Sequence, residues 1–270
     1  MTSGQLHLGT SSWSSPDWVG PFYPPGTPPE RFIEHYATVF GTVEIDATYY
    51  RMPTKANVEA WRSRTPEGFT FAVKTPGVIT HEKALVDVGD DMAHFLDIIT
   101  GLGSRLGPVL LQFPYFNKGA FASAAPFLER LDAFLGTLPR ELRFAVEVRN
   151  KAWVKKPLVE LCRGHRVALT WVEQAWMPSA ADWPRLTGGP TADFAYVRWL
   201  GDRKKIEELT TTWETTVIDR SAVIAAWVPI VRDLVGAGTQ VFAYFNNHFA
   251  GHAPSSAEMF RRLWSGFEPS

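Results

Sequence analysis

A (β/α)8 barrel of the TIM type, with one or more units irregular, is the fold class this chain predicts, on three observations. Eight short apolar segments recur along nearly the whole length, each running into a polar or charged residue. Stretches with helical spacing separate most of them, as expected of parallel strands joined by crossover helices. The 270 residues also match one barrel of ordinary size, about 250 residues, so a single domain over 1–270 is expected. In such a barrel the chemistry gathers at the carboxyl ends of the strands.

The first strand is expected at 6–10. The Pro- and Gly-rich run 14–29 follows, and its Trp18, Phe22 and Tyr23 read as a packed loop over the barrel mouth. Thr27-Pro28-Pro29-Glu30 has a capping-box pattern with proline at the first helical position, and Phe32, Ile33, Tyr36, Ala37 and Phe40 continue at helical spacing. The second strand, 43–46, precedes a helix over 54–64; the third, 69–74, precedes one over 90–100; the fourth, 109–113, one over 121–138. The fifth strand, 144–149, leads into a helix over 154–163. The sixth, 167–171, opens onto a long loop reaching 193 with at most a short helix. The seventh strand is expected at 194–198, and the charged run 202–208 after it reads as a solvated face. A helix over 221–235, a last strand at 241–247 and a helix over 256–264 complete the series, with Pro66, Gly101, Pro139, Gly164 and Gly236 as stops.

Composition narrows the function classes. With 27 basic and 28 acidic residues the net charge is −1, so no global field draws the chain to nucleic acid or anionic lipid. A lone cysteine, Cys162, excludes an internal disulfide and reads as a small apolar residue on a helix. The amino-terminal MTSGQLHLGT lacks the basic start and apolar stretch of a secretory signal, and no segment nears the ~18 apolar residues that span a bilayer. A cytoplasmic location without membrane attachment is the expectation. Eleven tryptophans are many for this length, and Trp13, Trp18, Trp153, Trp171, Trp176, Trp183 and Trp199 fall in or beside the segments expected at one face.

Strand side chains alternate, so the inward face can be read from parity. The second strand places Thr42, Glu44 and Asp46 opposite Val43 and Ile45. The third places Thr70, Ala72 and Lys74 opposite Phe69, Phe71 and Val73, and the fifth places Arg143, Ala145, Glu147 and Arg149 opposite Phe144, Val146 and Val148. The wholly apolar face should meet the outer helices. Glu44, Asp46, Lys74, Glu147 and Arg149 then converge on the upper interior, and Gln112, Arg198 and Asn246 join them from other strands. Such a ring suits a polar ligand pocket, where opposed charges separate acid and base roles. A buried ionic plug is the structural alternative.

These residues sit in longer strings: GTSSWSSPDWVGPFYPPGTPPERF, TVEIDATYYRMP, FTFAVKTPGVITHEKAL, LGPVLLQFP, RFAVEVRNKAW, ADFAYVRWLG and VFAYFNNHFAGHAPSSA. Together they resemble the YecE-like proteins, the domain-of-unknown-function family seventy-two, over nearly the whole chain. The resemblance implies a TIM-type barrel and no established reaction. Its pattern falls on Trp13, Trp18, Glu44, Tyr50, Arg51, Lys74, His81, Gln112, Glu147, Arg149, Trp153, Arg198, Asn246 and Asn247. Four positions depart from it: Asp46 replaces the usual Asn, Asn150 and Leu200 each replace a His, and His248 replaces an Asp.

Three functions compete. The first is an enzyme, a hydrolase of phosphoesters, acting on a phosphate-bearing or nucleotide-like ligand. Arg51, Lys74, Arg149 and Arg198 would hold phosphate oxygens, Glu147 or Glu44 would be the general base with Lys74 beside it, and aromatic side chains would stack on a base. A divalent metal held by Glu44, Asp46, Glu147, His81 and His248 is a variant of it. The second is a carbohydrate-active hydrolase using Glu44 and Glu147 as paired carboxylates. The third is a non-enzymatic binder of nucleic acid or a small anion, with Trp13, Trp18, Tyr49, Tyr50 and Arg51 interleaving rings and charge. On the bland side, the tryptophans fill the barrel mouth, and Asn246-Asn247 is turn chemistry after the last strand.

Overall fold

The computed structural model describes residues 4–266. Among these residues nine strands fall into two parallel sheets. The first contains β1 (Gln5–Thr10), β9 (Gln240–Phe245), β8 (Phe194–Gly201) and β7 (Trp171–Gln174), adjacent in that order. The second runs β2 (Thr42–Ile45), β3 (Thr70–Lys74), β4 (Leu106–Gln112), β5 (Phe144–Glu147), β6 (Ala168–Leu169). The helices are α1 (Phe32–Val39), α2 (Lys55–Ser63), α3 (Gly89–Ile99), α4 (Ala124–Leu135), α5 (Lys156–His165), α6 (Asp182–Thr187), α7 (Arg203–Leu209), α8 (Ser221–Gly236) and α9 (Ala253–Ser265). No helix among the described residues is long and apolar enough to cross a membrane.

Parity sorts the side chains as alternation requires. On one face Ala72, Leu110, Ala145, Ala168, Phe194, Tyr196, Phe242 and Tyr244 form their own buried cluster. The opposite faces, with Val43, Ile45, Phe71, Val73 and Val146, join the main core that contains the buried helix residues. The two sheets touch through the first face: Thr42 Oγ1 lies 2.8 Å from Tyr244 Oη, and Tyr196 Oη donates to Glu44 Oε2 at 2.7 Å. Small alanines on β3, β5 and β6 make room for the tyrosines and phenylalanines of β8 and β9.

No ladder joins one sheet to the other among the described residues. Hydroxyls work at both seams instead. Between β1 and β2, Tyr36 Oη accepts from Thr10 N at 2.9 Å and donates to Thr42 O at 3.1 Å. Gly9 is required there, since a Cβ would stand 2.2 Å from Thr42 O. Beside β6, Thr191 Oγ1 accepts from Leu169 N at 2.7 Å and donates to Val167 O at 2.6 Å.

The structure corrects several local expectations. Thr27 does not cap a helix; its hydroxyl donates to Pro24 O, and a 3₁₀ turn over Pro29–Arg31 leads into α1 without a side-chain cap. The sixth apolar segment is two strands, because its run continues past Thr170 into β7. The stretch expected as a loop with at most a short helix therefore begins in β7, while its one short helix is α6. The charged run at 202–208 is the solvated face expected, with only Ile206 buried, and it is carried on a helix: Asp202 Oδ1 caps α7 by accepting from Lys205 N at 3.2 Å. Arg149, Asn246 and Asn247 lie just past their strands.

Candidate functional site

A cavity of about 360 Å³ opens where β2, β3, β4, β5, β7, β8 and β9 end, and Asp46, Lys74, His81, Gln112, Arg149 and Arg198 are among its lining residues. Arg198 is its anchor. On β8 the alternation that points Phe194 and Tyr196 to the shared face points Arg198 there too, and only 2% of it is exposed. A buried guanidinium needs compensating charge. It finds three carboxylates: Nη2 donates to Glu44 Oε1 at 2.6 Å, Nη1 donates to Glu147 Oε2 at 2.8 Å, and Asp46 Oδ1 is 4.0 Å away. Burial would lower its pKa, but Glu147, Glu44 and Asp46 raise it well above the ordinary value.

The flanking cations continue the alternation of sign. Arg149 Nε donates to the other oxygen of Glu147, Oε1, at 2.5 Å, while its Nη1 donates to Gln174 Oε1 at 2.9 Å. Lys74 Nζ donates to Asp46 Oδ1 at 2.8 Å and rides over the Tyr49 ring, 4.2 Å from its centroid. Burial alone would push the Glu147 carboxyl upward, yet Arg149 and Arg198 hold it down at about 2. The same contest at Asp46 also ends in a lowered pKa, with Lys74 and then Arg198 outweighing burial.

This overturns Glu147 as general base. It is fully buried and each oxygen is spent on an arginine, so neither oxygen is presented to a substrate or a water in the cavity. Glu44 is equally enclosed, with one oxygen on Arg198 and the other on Tyr196. The metal variant meets the same difficulty. Among the described residues no group of three or more His, Cys, Asp or Glu side chains is placed to hold an ion, since arginines occupy the carboxylates.

His81 is the titratable lining group best freed for proton traffic. It sits on a π-helical turn (Val78–Glu82) after β3, its Nδ1 2.8 Å from Thr80 Oγ1 and its ring 4.7 Å from that of Tyr49. No hydrogen bond engages its Nε2 among the described residues. Burial, then Lys74 and Arg149, push its pKa down to about 4, so the imidazole is neutral at pH 7. Elsewhere on the lining, Asn246 Oδ1 accepts from His248 N and lies 2.7 Å from His248 Nδ1, while His248 Nε2 is 3.3 Å from Glu207.

The candidate residues divide clearly. Lys74, Tyr50, His81, Gln112, Arg149, Arg198 and Asn246 line the cavity, and Glu44 and Glu147 lie under it. Trp13 packs on Trp61 and Phe71, Trp18 on Phe22, Tyr23 and His252, and Trp153 on Phe116, Phe121 and Phe127. These three belong to the outer packing rather than the pocket. Arg51 is exposed outside the lining, and Asn247 is spent accepting from Ala253 N at the start of α9. Of the four departures, Asp46, Leu200 and His248 line the cavity, whereas Asn150 bonds the Phe116 backbone.

Sequence reasoning missed Tyr115, Gln174 and Arg203. Gln174 was within reach: it shares parity with Ala168 and Thr170 once the strand is carried past Trp171. Arg203 hid in a charge run. Tyr115 follows β4 in a loop, where no periodicity speaks for it.

Comparison with other proteins agrees with this architecture. The model of a family described as "Protein of unknown function DUF72" matches residues 7–268. UPF0759 protein YunF of Bacillus subtilis (strain 168) is 26% identical over 288 residues, covering 98% of each chain. UPF0759 protein YecE of Escherichia coli (strain K12) is 33% identical over 152 residues, 56% of this chain. The matched part spans 51% of YecE, about half of that relative. A crystal structure of a DUF72 family protein from Thermotoga maritima matches with a TM-score of 0.78 and 27% identity over 96% of this chain and 99% of that one. A second, from Enterococcus faecalis, has a TM-score of 0.69 at 20% identity over 98% of this chain and 99% of that one, and speaks to the fold alone.

Proposed function

The chain belongs to the DUF72 family, and from that premise we propose that its cavity binds a small phosphate-bearing molecule and hydrolyses a phosphoester there. The proposal also takes the two sheets as one closed (β/α)8 barrel in a single cytoplasmic domain. Arg198 of one sheet bonded to Glu44 and Glu147 of the other supports closure, as do the Tyr36 and Thr191 hydroxyls at the seams.

One observation carries the functional reading. Lys74 and Arg149 line the same small cavity, each fixed on one side by a carboxylate, next to a neutral imidazole whose Nε2 is unengaged. Cations held in advance suit phosphoryl oxygens, and a planar guanidinium does so with directed donors. Arg149 keeps Nη2 unpaired among the described residues. In the reaction, His81 Nε2 takes a proton from water as its oxygen attacks phosphorus. The ester oxygen departs with a proton from the Lys74 ammonium; afterwards the imidazolium gives its proton to solvent and the Lys74 amine takes one back from solvent. Glu44 and Glu147 act by positioning Arg198 and Arg149.

The carbohydrate alternative has less support. Both carboxylates lie under Arg198 with their oxygens engaged, out of reach of a glycosidic bond.

Calorimetric titration with inorganic phosphate and an assay on p-nitrophenyl phosphate test the proposal. Lys74→Ala and Arg149→Ala are expected to lose phosphate binding, and His81→Ala to keep binding while losing hydrolysis. An intact protein that leaves phosphate unbound refutes the pocket assignment. Unchanged hydrolysis by H81A refutes the role given to the imidazole.

A further inference from the structure

Above its charged floor the cavity has a rim of rings. Among the described residues the exposed large hydrophobic side chains are Tyr50, Val86, Tyr115, Trp176, Leu186 and Leu209. Three of these, Tyr50 at 76%, Tyr115 at 66% and Trp176 at 47% exposure, line this one cavity. They arrive from three separate connections, following β2, β4 and β7. No single apolar run in the chain accounts for the gathering. A fourth ring, Tyr49, stands edge-on to Tyr50, with centroids 4.8 Å apart and planes at 87°, and carries Lys74 over its face.

The tryptophans expected from the sequence to bind ligand went elsewhere: Trp13, Trp18 and Trp153 are absorbed in packing. The rim rings are not. Apolar rings grouped at a concave site mark a binding surface. The lining thus carries two chemistries, flat faces at the mouth and Lys74 and Arg149 deeper. A bare phosphate uses only the second. A molecule with a planar base joined to a phosphate uses both, because every base presents a face on which an aromatic side chain stacks.

We propose that the phosphate-bearing ligand is a nucleotide, its base against Trp176, Tyr115 and Tyr50 and its phosphate at Lys74 and Arg149. This rests on the anion reading given under Proposed function and adds the class of the group attached to the phosphate. A free nucleotide and the end of a single strand share that chemistry.

Calorimetric titrations of the whole protein with adenosine monophosphate, ribose phosphate, inorganic phosphate and a short oligothymidylate test it. Adenosine monophosphate is expected to bind on the order of tenfold tighter than ribose phosphate, the gain typical of stacking one base. Trp176→Ala and Tyr115→Ala should each shrink that advantage and leave ribose phosphate binding unchanged. Both residues are exposed, so neither variant threatens folding. If ribose phosphate and adenosine monophosphate bind equally, the nucleotide inference is overturned while the anion pocket stands. If none of the four binds, both readings fall. Tighter binding of the oligothymidylate than of the monophosphate makes the natural ligand a strand; weaker or equal binding makes it a free nucleotide.

Discussion

Asp46→Asn is the substitution that most directly probes the charge balance of the pocket. The carboxylate holds Lys74 at 2.8 Å and sits 4.0 Å from Arg198, and both cations keep it ionised through the neutral range against the pull of burial. The change to Asn therefore removes one whole negative charge at pH 7. An anion resting on Lys74 opposite Asp46 would lie on the order of 5 Å from that charge. At this distance the repulsion is roughly 1 kcal/mol in water and 3 kcal/mol at an effective dielectric of about 20. The Asp46 side chain is 25% exposed, so solvent screens it and the lower part of the range applies. Phosphate should bind D46N tighter by about 1–2 kcal/mol, roughly 5- to 30-fold. Lys74 remains over the Tyr49 ring, which limits its drift. Calorimetry at low salt measures the gain, and repetition at high salt should shrink it, because screening weakens the repulsion being removed. Equal or weaker phosphate affinity in a D46N protein with an unchanged melting transition would sink the reasoning.

Two further outcomes concern stability. Arg198→Met leaves Glu44 and Glu147 buried without their shared cation, and thermal unfolding should report a loss of about 3–5 kcal/mol; a variant as stable as the parent contradicts the account of Arg198 as anchor. Glu147 gives the protein an acid-sensitive stability. Its carboxyl sits at about 2 in the fold against an ordinary 4.5, so a contribution of about 3 kcal/mol is complete above 4.5 and drains away as pH falls toward 2. Denaturant titrations across that window should show the loss, and Glu147→Gln should flatten it; an unchanged slope in E147Q would assign the acid response to other groups.

Much of this site could be read from alternation alone. Glu44, Lys74, Gln112, Glu147 and Arg198 occupy strand positions, and a period of two places them on the face that the two sheets share. The apolar partners of the same strands read correctly as the faces toward the helices. Parity stops where strands stop. Trp13, Trp18 and Trp153 lie beyond strand ends, and nothing in their spacing distinguishes a ring that packs outward from Trp176, which lines the cavity. Tyr115 is invisible for the same reason. The base role given to Glu147 failed for a different one: pattern placed it beside arginines, but only distances reveal that both oxygens are taken. The split sixth segment and α7 were obscured by a short strand and by charges that serve equally well on a helix surface.

The interlocking of Glu44, Glu147, Arg149, Arg198 and Gln174 has a consequence for selectivity. Each of these groups is held by at least one other, so none can swivel to suit an incoming guest without stranding its neighbour. A molecule that matches the fixed pattern enters without rearranging it. One that mismatches meets donors and acceptors unable to turn away, and discrimination then comes from turning unsuitable guests out.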